Sequence, residues 1–309
     1  MHSGLVRLAG ELAAPEAAGG VTQLGLGGAV LLRRTQPSAI EGTLYRPLLC
    51  VILQGAKDVS AGTLSVHCPA GNVIIVSHDL PVLSRITRAS LAEPYIAVVL
   101  PLDLGILRGF FDRMPDIAGG EDNAAALLSC PADGELLDAI VRLITLARQE
   151  IAAPLLGPIL LREIHARLLL SPQGAILRRF LNREDPSNHV ARAIASIRAS
   201  IEAPMKVSAL AEHAGMSTSS FHAHFKAVTG LTPGQYQKDI RLLEARRLIL
   251  DSDAAVSSVA FDVGYESPAQ FSRDYARKFG CPPREDRNRA REPDSDRSTA
   301  FVSQPAAVN

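Results

Sequence analysis

Few side chains in this sequence have the types and spacing that catalysis or metal binding requires. His67 ends one predicted strand and His78 follows another, and they do not form the HxH pair that a metal-binding β-barrel typically uses. His222 and His224 are two positions apart on a predicted helix, so their imidazoles point about 200° apart and cannot readily share an ion. We therefore expect no enzyme activity, no catalytic residue, no metal and no cofactor, and we interpret His78 as a structural or pocket-lining residue.

The cysteines show no paired spacing and form no CxxC motif. Cys50 and Cys68 lie in apolar, strand-like segments, where cysteine is usually a small buried hydrophobic residue. A thiol that senses electrophiles is the alternative, and the sequence leaves it open. We find no secretory signal and no apolar run that approaches the length of a membrane span. These features predict a reducing, cytoplasmic location without a membrane.

Side chains suited to contacts with nucleic acid are concentrated near the C-terminus. The stretch Val256–Pro283 predicts a helix, a tight turn and a second helix. Gly264 suits the turn because glycine can adopt positive φ, while Ser267 suits the N-cap and Pro268 the first helical position. The aromatic residues that repeat every four positions and would face the core are Phe271, Tyr275 and Phe279. A second helix with one apolar and one polar, basic face is typical of a helix-turn-helix unit.

The same skeleton occurs earlier in the chain, in Val207–Gly230. The apolar residues and the turn glycine of this unit lie 49 residues before their counterparts, and its aromatic residues and terminal glycine lie 50 residues before theirs. The one-residue difference falls in the turn, where an insertion is tolerated. The helix-forming segment Gln235–Leu250 joins the units, and its length of about 24 Å could hold two recognition helices at the separation of successive major-groove turns.

The region from about Asn188 to Arg289 resembles the DNA-binding domain of AraC/XylS-type transcription regulators. The resemblance is carried by VAFDVGYESPAQFSRDYARKFGCPP, which is close to the signature of that family, and by LTPGQYQKDIRLLEARRLI, which resembles its joining helix. It implies a seven-helix domain in which two helix-turn-helix units contact adjacent major-groove segments of double-stranded promoter DNA.

The resemblance also assigns DNA-contacting positions. Those facing bases are Ser219, His222 and Ala223 in the first recognition helix, and Pro268, Ala269, Ser272 and Arg273 in the second. We add Ser217, Lys226, Ser267 and Arg277 as further DNA-binding residues at helix starts and on basic faces. Among the positions that face bases, only Arg273 has the bidentate fork that pairs well with guanine. Arg246, Arg247 and Lys278 could neutralise phosphates or could simply be solvated.

In the N-terminal half, short apolar runs separated by turn residues predict six or more short strands. Strands of this number and spacing suggest a small barrel or sandwich. The segments YRPLLCVILQGAKDV and VIIVSHDLPV resemble the N-terminal ligand-sensing domain of an AraC-type subgroup. This resemblance implies a cupin-like β-barrel followed by helices. The predicted fold class is therefore α+β, with a sensing and dimerisation domain at residues 20–175, a DNA-binding domain at 188–289 and a disordered tail at 290–309.

Two apolar helices are predicted after the barrel, at Glu135–Ile151 and Ile159–Leu170. They could pack on the barrel alone, or they could also form a homodimer face, as the resemblance implies. We expect the polar segment Asn182–Asn188 to be a flexible linker that lets ligand binding reposition the DNA-binding domain.

Composition and charge permit this interpretation without proving it. The 309 residues suffice for two domains, and the formal net charge is zero. Residues 1–189 carry 16 Lys and Arg against 18 Asp and Glu, whereas residues 190–290 carry 14 against 11. The C-terminal domain is thus mildly basic, which suits a DNA-binding protein.

The sequence predicts a sequence-specific transcription regulator that responds to an unknown small-molecule effector and contacts RNA polymerase if it is an activator. Two alternatives remain: a constitutive regulator whose barrel only dimerises, and a cupin enzyme fused to a regulator. A barrel filled with side chains would favour the first alternative, and a metal held by His67 and His78 would favour the second.

Overall fold

The computed structural model describes residues 9–10, 20–114 and 124–291. In these ranges ten strands form two sheets at the N-terminal end. The strands are β1 Val21–Gln23, β2 Val30–Arg34, β3 Glu41–Tyr45, β4 Leu48–Gln54, β5 Ala56–Ala61, β6 Leu64–Pro69, β7 Asn72–Val76, β8 Leu80–Arg88, β9 Tyr95–Pro101 and β10 Leu127–Pro131.

Both sheets are antiparallel. The first has six strands in the order β1-β2-β9-β4-β7-β10, and the second has four in the order β3-β8-β5-β6. Strand β4 shows how the six-stranded sheet separates two cores. Leu49, Val51 and Leu53 pack with the helices on its outer face, whereas Cys50 and Ile52 face the four-stranded sheet. The predicted N-terminal β domain with accessory helices is confirmed.

Eleven helices of the described ranges are used below. They are α1 Leu104–Phe111, α2 Gly134–Leu146, α3 Ala152–Leu170, α4 Ala175–Leu181, α5 Pro186–Ala199, α6 Val207–His213, α7 Thr218–Thr229, α8 Pro233–Asp251, α9 Val256–Asp262, α10 Pro268–Phe279 and α11 Pro283–Arg291. Among the described residues, no helix is both long and apolar enough to cross a membrane.

The helices outside the barrel differ from the sequence prediction at two places. Helix α2 ends at Leu146, five residues before the predicted Ile151. Helix α3 begins at Ala152, before the predicted Ile159, and contains Pro158. The earlier start is tolerated because a proline in the first turn, here Pro154, gives up an N–H that would have no helical partner. Pro158 sacrifices one further backbone hydrogen bond.

The linker is shorter and more ordered than predicted. Helix α4 ends at Leu181 and α5 already begins at Pro186, with the Asp185 carboxylate accepting the Ser187 N–H at 2.8 Å. The side-chain amide of Asn188 donates to the Phe180 carbonyl at 2.8 Å. The segment is therefore a capped turn between helices, because its polar residues hydrogen-bond locally.

The C-terminal part contains seven described helices, α5 to α11, as the resemblance implies. Helix α11 continues to Arg291, past the predicted start of the tail at residue 290. Residues 292–309, the remainder of the predicted tail, lie outside the described residues.

The four-stranded sheet packs directly against the C-terminal helices. One continuous core contains Val59 and Ala61 of the barrel together with Phe225 and Tyr236 of α7 and α8. Hydrogen bonds cross the same boundary: the Thr63 N–H donates to the Gly230 carbonyl at 3.0 Å. The two halves of the described chain therefore share buried apolar surface.

Candidate nucleic-acid interface

The second helix-turn-helix is built by α9 and α10 around an aromatic cluster. Gly264 follows α9 with φ of +84°, the left-handed conformation that glycine favours. Ser267 caps α10, and its hydroxyl accepts the Gln270 N–H at 3.3 Å. The buried rings that fix α10 against its neighbours are Tyr265, Phe271 and Tyr275. The predicted turn, cap and core residues thus occupy their expected places.

The opposite face of α10 is accessible to solvent. Ala269, Arg273 and Arg277 are exposed, whereas Ser267, Pro268 and Ser272 are half-buried. Arg273 forms no ion pair with any described residue, so its guanidinium is free to contact a base. The Ser272 hydroxyl donates to the Pro268 carbonyl at 2.9 Å, which leaves its oxygen available only as an acceptor. Arg277 lies 3.4 Å from the Asp274 carboxylate, a weak pair for an exposed arginine.

The first unit has the same construction in α6 and α7. Ser217 caps α7 by accepting the Ser220 N–H at 3.2 Å, while Phe221 and Phe225 are fully buried. The predicted DNA-binding residues on the other face are exposed or half-buried, namely Ser217, Ser219, His222, Ala223 and Lys226. This face has one cation, Lys226, and no arginine, so its hydrogen-bonding capacity is lower than that of α10.

Helix α8 holds the two units apart. Its 19 residues correspond to about 28 Å, and a complete capping box at Thr232 and Gln235 fixes its start. Its Arg246 pairs with Asp286 of α11 at 2.8 Å and lies over the Phe279 ring at 4.8 Å. Asp286 also accepts a hydrogen bond from the Tyr275 hydroxyl at 2.7 Å. Arg246 is therefore a packing residue and not a phosphate contact.

Two other basic residues considered from the sequence, Lys278 and Arg247, are also held in ion pairs. Lys278 pairs with Asp239 of α8 at 2.9 Å and its side chain is only 9% exposed, so it ties α10 to α8. Arg247 pairs with Glu244 at 2.6 Å and with Asp251 at 3.4 Å. Neither is free to neutralise a phosphate without breaking an existing pair.

Sequence analysis missed one candidate on α10. Gln270 is exposed one position after Ala269, and its backbone N–H already uses the Ser267 cap. A glutamine side chain at this position could bind adenine in a bidentate manner. In the sequence, Gln270 stands three residues after the Ser267 N-cap and completes a capping-box pattern, which conceals this possibility. The DNA-contacting roles of all these side chains remain predictions.

The two barrel histidines do not form a common site. His67 is exposed on β6 and lies 2.6 Å from the Asp58 carboxylate. His78 is buried between Ser77 and Ser187: its Nε2–H donates to the Ser187 carbonyl at 2.9 Å, and its Nδ1 accepts the Ser77 hydroxyl at 2.8 Å. Burial lowers the pKa of His78 to about 4. Within the described ranges, no group of three metal-ligating side chains converges.

The cysteines of the barrel are buried as well. Burial raises the pKa of Cys50 to about 11 and also raises the pKa of Cys68. Reactive thiols usually have a lowered pKa and some exposure, so this environment does not favour a nucleophilic sensor.

Two family descriptions match the chain. Residues 26–176 match "AraC-type transcriptional regulator N-terminus", and residues 210–289 match "Helix-turn-helix domain". Similar proteins include the HTH-type transcriptional regulator ExsA of Pseudomonas aeruginosa, which is 27% identical over 60% of this chain and 67% of its own length. The HTH-type transcriptional activator RhaS of Escherichia fergusonii is 32% identical over 50% of this chain and 55% of its own length.

Among solved structures, unsaturated fatty acid bound ToxT from Vibrio cholerae has a similar fold. The TM-score is 0.55 with 12% sequence identity, and the match covers 83% of this chain and 92% of ToxT. At this identity the likeness concerns the fold alone: a β domain followed by a helical domain with helix-turn-helix units.

Proposed function

This chain belongs to the AraC family of transcription regulators, and we propose that it binds promoter DNA in response to a small-molecule effector. The observation that carries the proposal is the pair of helix-turn-helix units of equal construction, joined by the continuous helix α8. Each unit buries its aromatic residues and leaves one polar helix face open. Two such faces on a rigid joining helix suit adjacent major-groove segments.

We assign the base contacts chiefly to Arg273 and His222, with Gln270 as an additional candidate. Of the remaining predicted positions, Ser219 and Ser272 would each contribute a single hydrogen bond. Ala223, Pro268 and Ala269 would contribute shape alone. Ser217 and Ser267, the N-cap residues of α7 and α10, would contact phosphates at the helix starts. Lys226 and Arg277 would contact phosphates from the exposed side of the last helical turns.

Regulation would use the contact between the barrel and the DNA-binding domain. Gly230, the C-cap residue of α7, lies against the β5–β6 turn, and the Tyr236 hydroxyl of α8 donates to the Asp79 carbonyl at 2.8 Å. Arg198 of α5 forms an ion pair with Asp79. An effector that changes the barrel would thereby shift the population of DNA-competent arrangements.

We also propose a homodimer through α3. Its outer face exposes Leu155, Leu156, Ile159 and Leu170, and the N-cap residue Ile151 is exposed beside them. Ile151, Leu155 and Ile159 follow one another at a spacing of about one helical turn. An apolar stripe of this kind on a second copy would cover it, because two-fold interfaces are self-complementary.

A regulator whose barrel only dimerises is the second candidate, because buried side chains pack between the two sheets. A cupin enzyme would need a metal shared by His67 and His78, which face different surroundings. We therefore propose that the protein is not an enzyme, that it acts in the cytoplasm, where promoter DNA lies, and that it contacts RNA polymerase if it activates.

The proposal is tested by recovering the protein with its bound DNA from its own cells and sequencing that DNA. We expect a few sharp sites, each with two half-motifs about one helical turn apart. Repeating the recovery after adding cell metabolites tests the effector requirement. Diffuse recovery under both conditions would contradict the proposal.

A further inference from the structure

The two helix-turn-helix units pack in separate hydrophobic cores. Phe221 and Phe225 of the first unit belong to the core that extends into the barrel. Phe271 and Tyr275 of the second unit belong to a smaller cluster, which has no member in common with the first among the described residues. Both units pack on α8, but long helices bend, so a shared helix does not by itself fix the orientation of one unit relative to the other.

Helix α8 passes from one core to the other at Arg241. The preceding residue, Ile240, is buried in the core of the first unit, and the following residue, Leu242, is buried in the core of the second. Successive side chains of a helix point about 100° apart, so the half-buried Arg241 leaves α8 between these two directions. The arginine therefore lies at the boundary between the units.

The guanidinium of Arg241 connects the two units through backbone carbonyls. Its Nε donates to the Ile201 carbonyl at 2.6 Å, and its Nη1 donates to the Gly264 carbonyl at 2.9 Å. Its Nη2 donates to the carbonyls of Glu202 and Ala203, both at 3.1 Å. Four of the five N–H donors of the side chain are used in this way. Three of the carbonyls lie in the loop that leads into α6, and the fourth lies in the turn of the second unit.

The turn of the second unit lies directly against that loop. A Cβ at Gly264 would lie 2.7 Å from the Glu202 Cα and 2.8 Å from the Arg241 guanidinium. Gly215, the turn glycine of the first unit, has a similar positive φ of +66° but nothing within 4 Å of its missing Cβ. Glycine at position 264 thus serves the contact between the units as well as the conformation of the turn.

The loop before α6 is also anchored to the first unit without Arg241. The side-chain amide of Gln237, one turn earlier on α8, donates to the Ala203 carbonyl at 2.9 Å and to the Ile201 carbonyl at 3.2 Å. Ile201 itself packs against the core of the first unit. The further bond from Arg241 to Gly264 therefore acts between the units and not within one of them.

We propose that Arg241 is a positioning residue that sets the relative orientation of the two recognition helices on DNA. A planar guanidinium with partners on two loops restrains both loops, because its donors are fixed in one fork. The inference rests on the proposed function, since it concerns how both units contact neighbouring half-motifs. A fixed orientation makes binding selective for the spacing of those half-motifs, because the second unit adds affinity only where the geometry allows both contacts at once.

The test compares the affinity of the full-length protein for the site selected from randomised DNA with its affinity for sites that are one base pair shorter or longer between the half-motifs. We expect the parent to prefer the selected spacing at least about tenfold, and Arg241→Met to reduce this preference to about threefold or less. The base preference within each half-motif should not change. Because the spacing preference is a ratio of affinities, a partial loss of folded protein does not alter it.

Two control variants on α8 separate positioning from a general loss of charge or of hydrogen bonds. Arg247→Met removes an arginine that pairs with Glu244 and Asp251 on its own helix. Gln237→Leu removes hydrogen bonds to the loop before α6 but keeps the bond from Arg241 to the second unit. Both variants should keep the spacing preference of the parent.

Gly264→Ala tests the same contact if Arg241→Met does not fold. Its Cβ would push the turn away from Glu202 and should also relax the spacing preference. Gly215→Ala carries comparable backbone strain in the other turn without that clash, and should keep the preference. The inference is overturned if the parent shows no spacing preference, if neither Arg241→Met nor Gly264→Ala relaxes it, or if the control variants relax it equally.

A measurement without DNA distinguishes failure of this inference from failure of the proposed function. Spin labels at Ala223→Cys on α7 and Ala269→Cys on α10, both exposed positions, report the distance between the recognition helices. Cys130→Ser removes the half-buried native thiol, and the other cysteines are buried. We expect a narrow distance distribution in the parent and a broader one with Arg241→Met. Equal widths would overturn the inference, whereas a broader distribution in a protein that binds no paired half-motifs would contradict the proposed function alone.

Discussion

Arg273 is the side chain on which base recognition by the second unit depends most. It is exposed, it has no ion pair among the described residues, and its fork matches guanine. Arg277, one turn further along α10, is held near Asp274 and is better placed for a phosphate. Removal of Arg273 should therefore affect base preference, whereas removal of Arg277 should affect the overall affinity for DNA.

We predict that Arg273→Ala costs about 1–3 kcal/mol at the cognate site and relaxes the base preference at one position. Arg277→Ala should weaken binding uniformly across sequences and reduce the salt dependence by about one phosphate contact. Titrations of both variants against cognate and mutated sites at several salt concentrations measure this. Equal binding of Arg273→Ala and the parent to every site would show that Arg273 takes no part in base recognition.

His78 is the residue that links folding to pH at the domain boundary. Its pKa in the folded protein, about 4, lies below its ordinary value of 6.5, so the unfolded chain takes up the proton more readily. The stability that a neutral His78 contributes is therefore complete above pH 6.5 and is lost as the pH falls towards 4. The hydrogen bond to the Ser187 carbonyl and, to a lesser extent, the charge of Asp185 oppose this lowering of the pKa only partly.

We predict that the free energy of unfolding falls by about 1–2 kcal/mol between pH 7.5 and pH 5 on account of His78. His78→Gln should reduce this pH dependence. Part of the pH dependence of the free energy of unfolding will persist in this variant, because burial also lowers the pKa of His165. Urea unfolding of both proteins at the two pH values measures the difference. An unchanged pH dependence in His78→Gln would show that His78 does not carry it.

Helix α3 has the clearest exposed apolar surface among the described helices. Leu155 and Ile159 are 71% and 64% exposed one turn apart, whereas His165 and Leu168 on the same helix are buried. A surface of this kind on a monomer is costly in water and is typical of an interface.

We predict that Leu155→Glu combined with Ile159→Glu converts a dimer into a monomer, because two charges would be buried at its centre. Leu91→Glu is the control, since Leu91 is 81% exposed on the turn between β8 and β9. Sedimentation equilibrium of the three proteins over a range of concentrations gives the result. A monomeric parent, or a dimer that survives both charges, would contradict the assignment.

The two recognition units could be predicted at the level of elements because their local signals agree. Ser217 and Ser267 are caps, and the glycine and aromatic residues repeat in register. The sequence of β5 does not show a clear strand pattern, because Lys57 and Asp58 interrupt its apolar alternation. The start of α3 was predicted too late, because Pro158 resembles a helix breaker. Local patterns show which face is buried, but not which element covers it.

At the scale of the whole molecule, the close contact between barrel and DNA-binding domain depends on glycine. Gly62 has φ of +55° in the turn between β5 and β6, and a Cβ there would clash with the Gly230 carbonyl. Similarly, a Cβ at Gly42 would lie 2.9 Å from the Phe279 ring. The barrel thus touches the C-terminal ends of both recognition helices, which gives it a means to influence both units.

We predict that Gly62→Ala weakens domain docking and makes the linker at residues 182–185 more sensitive to protease. Gly71→Ala is the matched control, since Gly71 has a similar φ of +86° with nothing near its missing Cβ. It reproduces the backbone strain without the clash. Limited proteolysis measures the effect, and equal cleavage rates in the two variants would show that the contact at Gly62 does not hold the domains together.

The most direct test of the account selects binding sites from randomised double-stranded DNA with the full-length protein, with and without metabolites from its own cells. We predict two enriched half-motifs whose centres lie about 10 base pairs apart, and loss of preference in only one of them for Arg273→Ala. Enrichment of a single half-motif, or of none under either condition, would contradict the claim that both helix-turn-helix units contact DNA together.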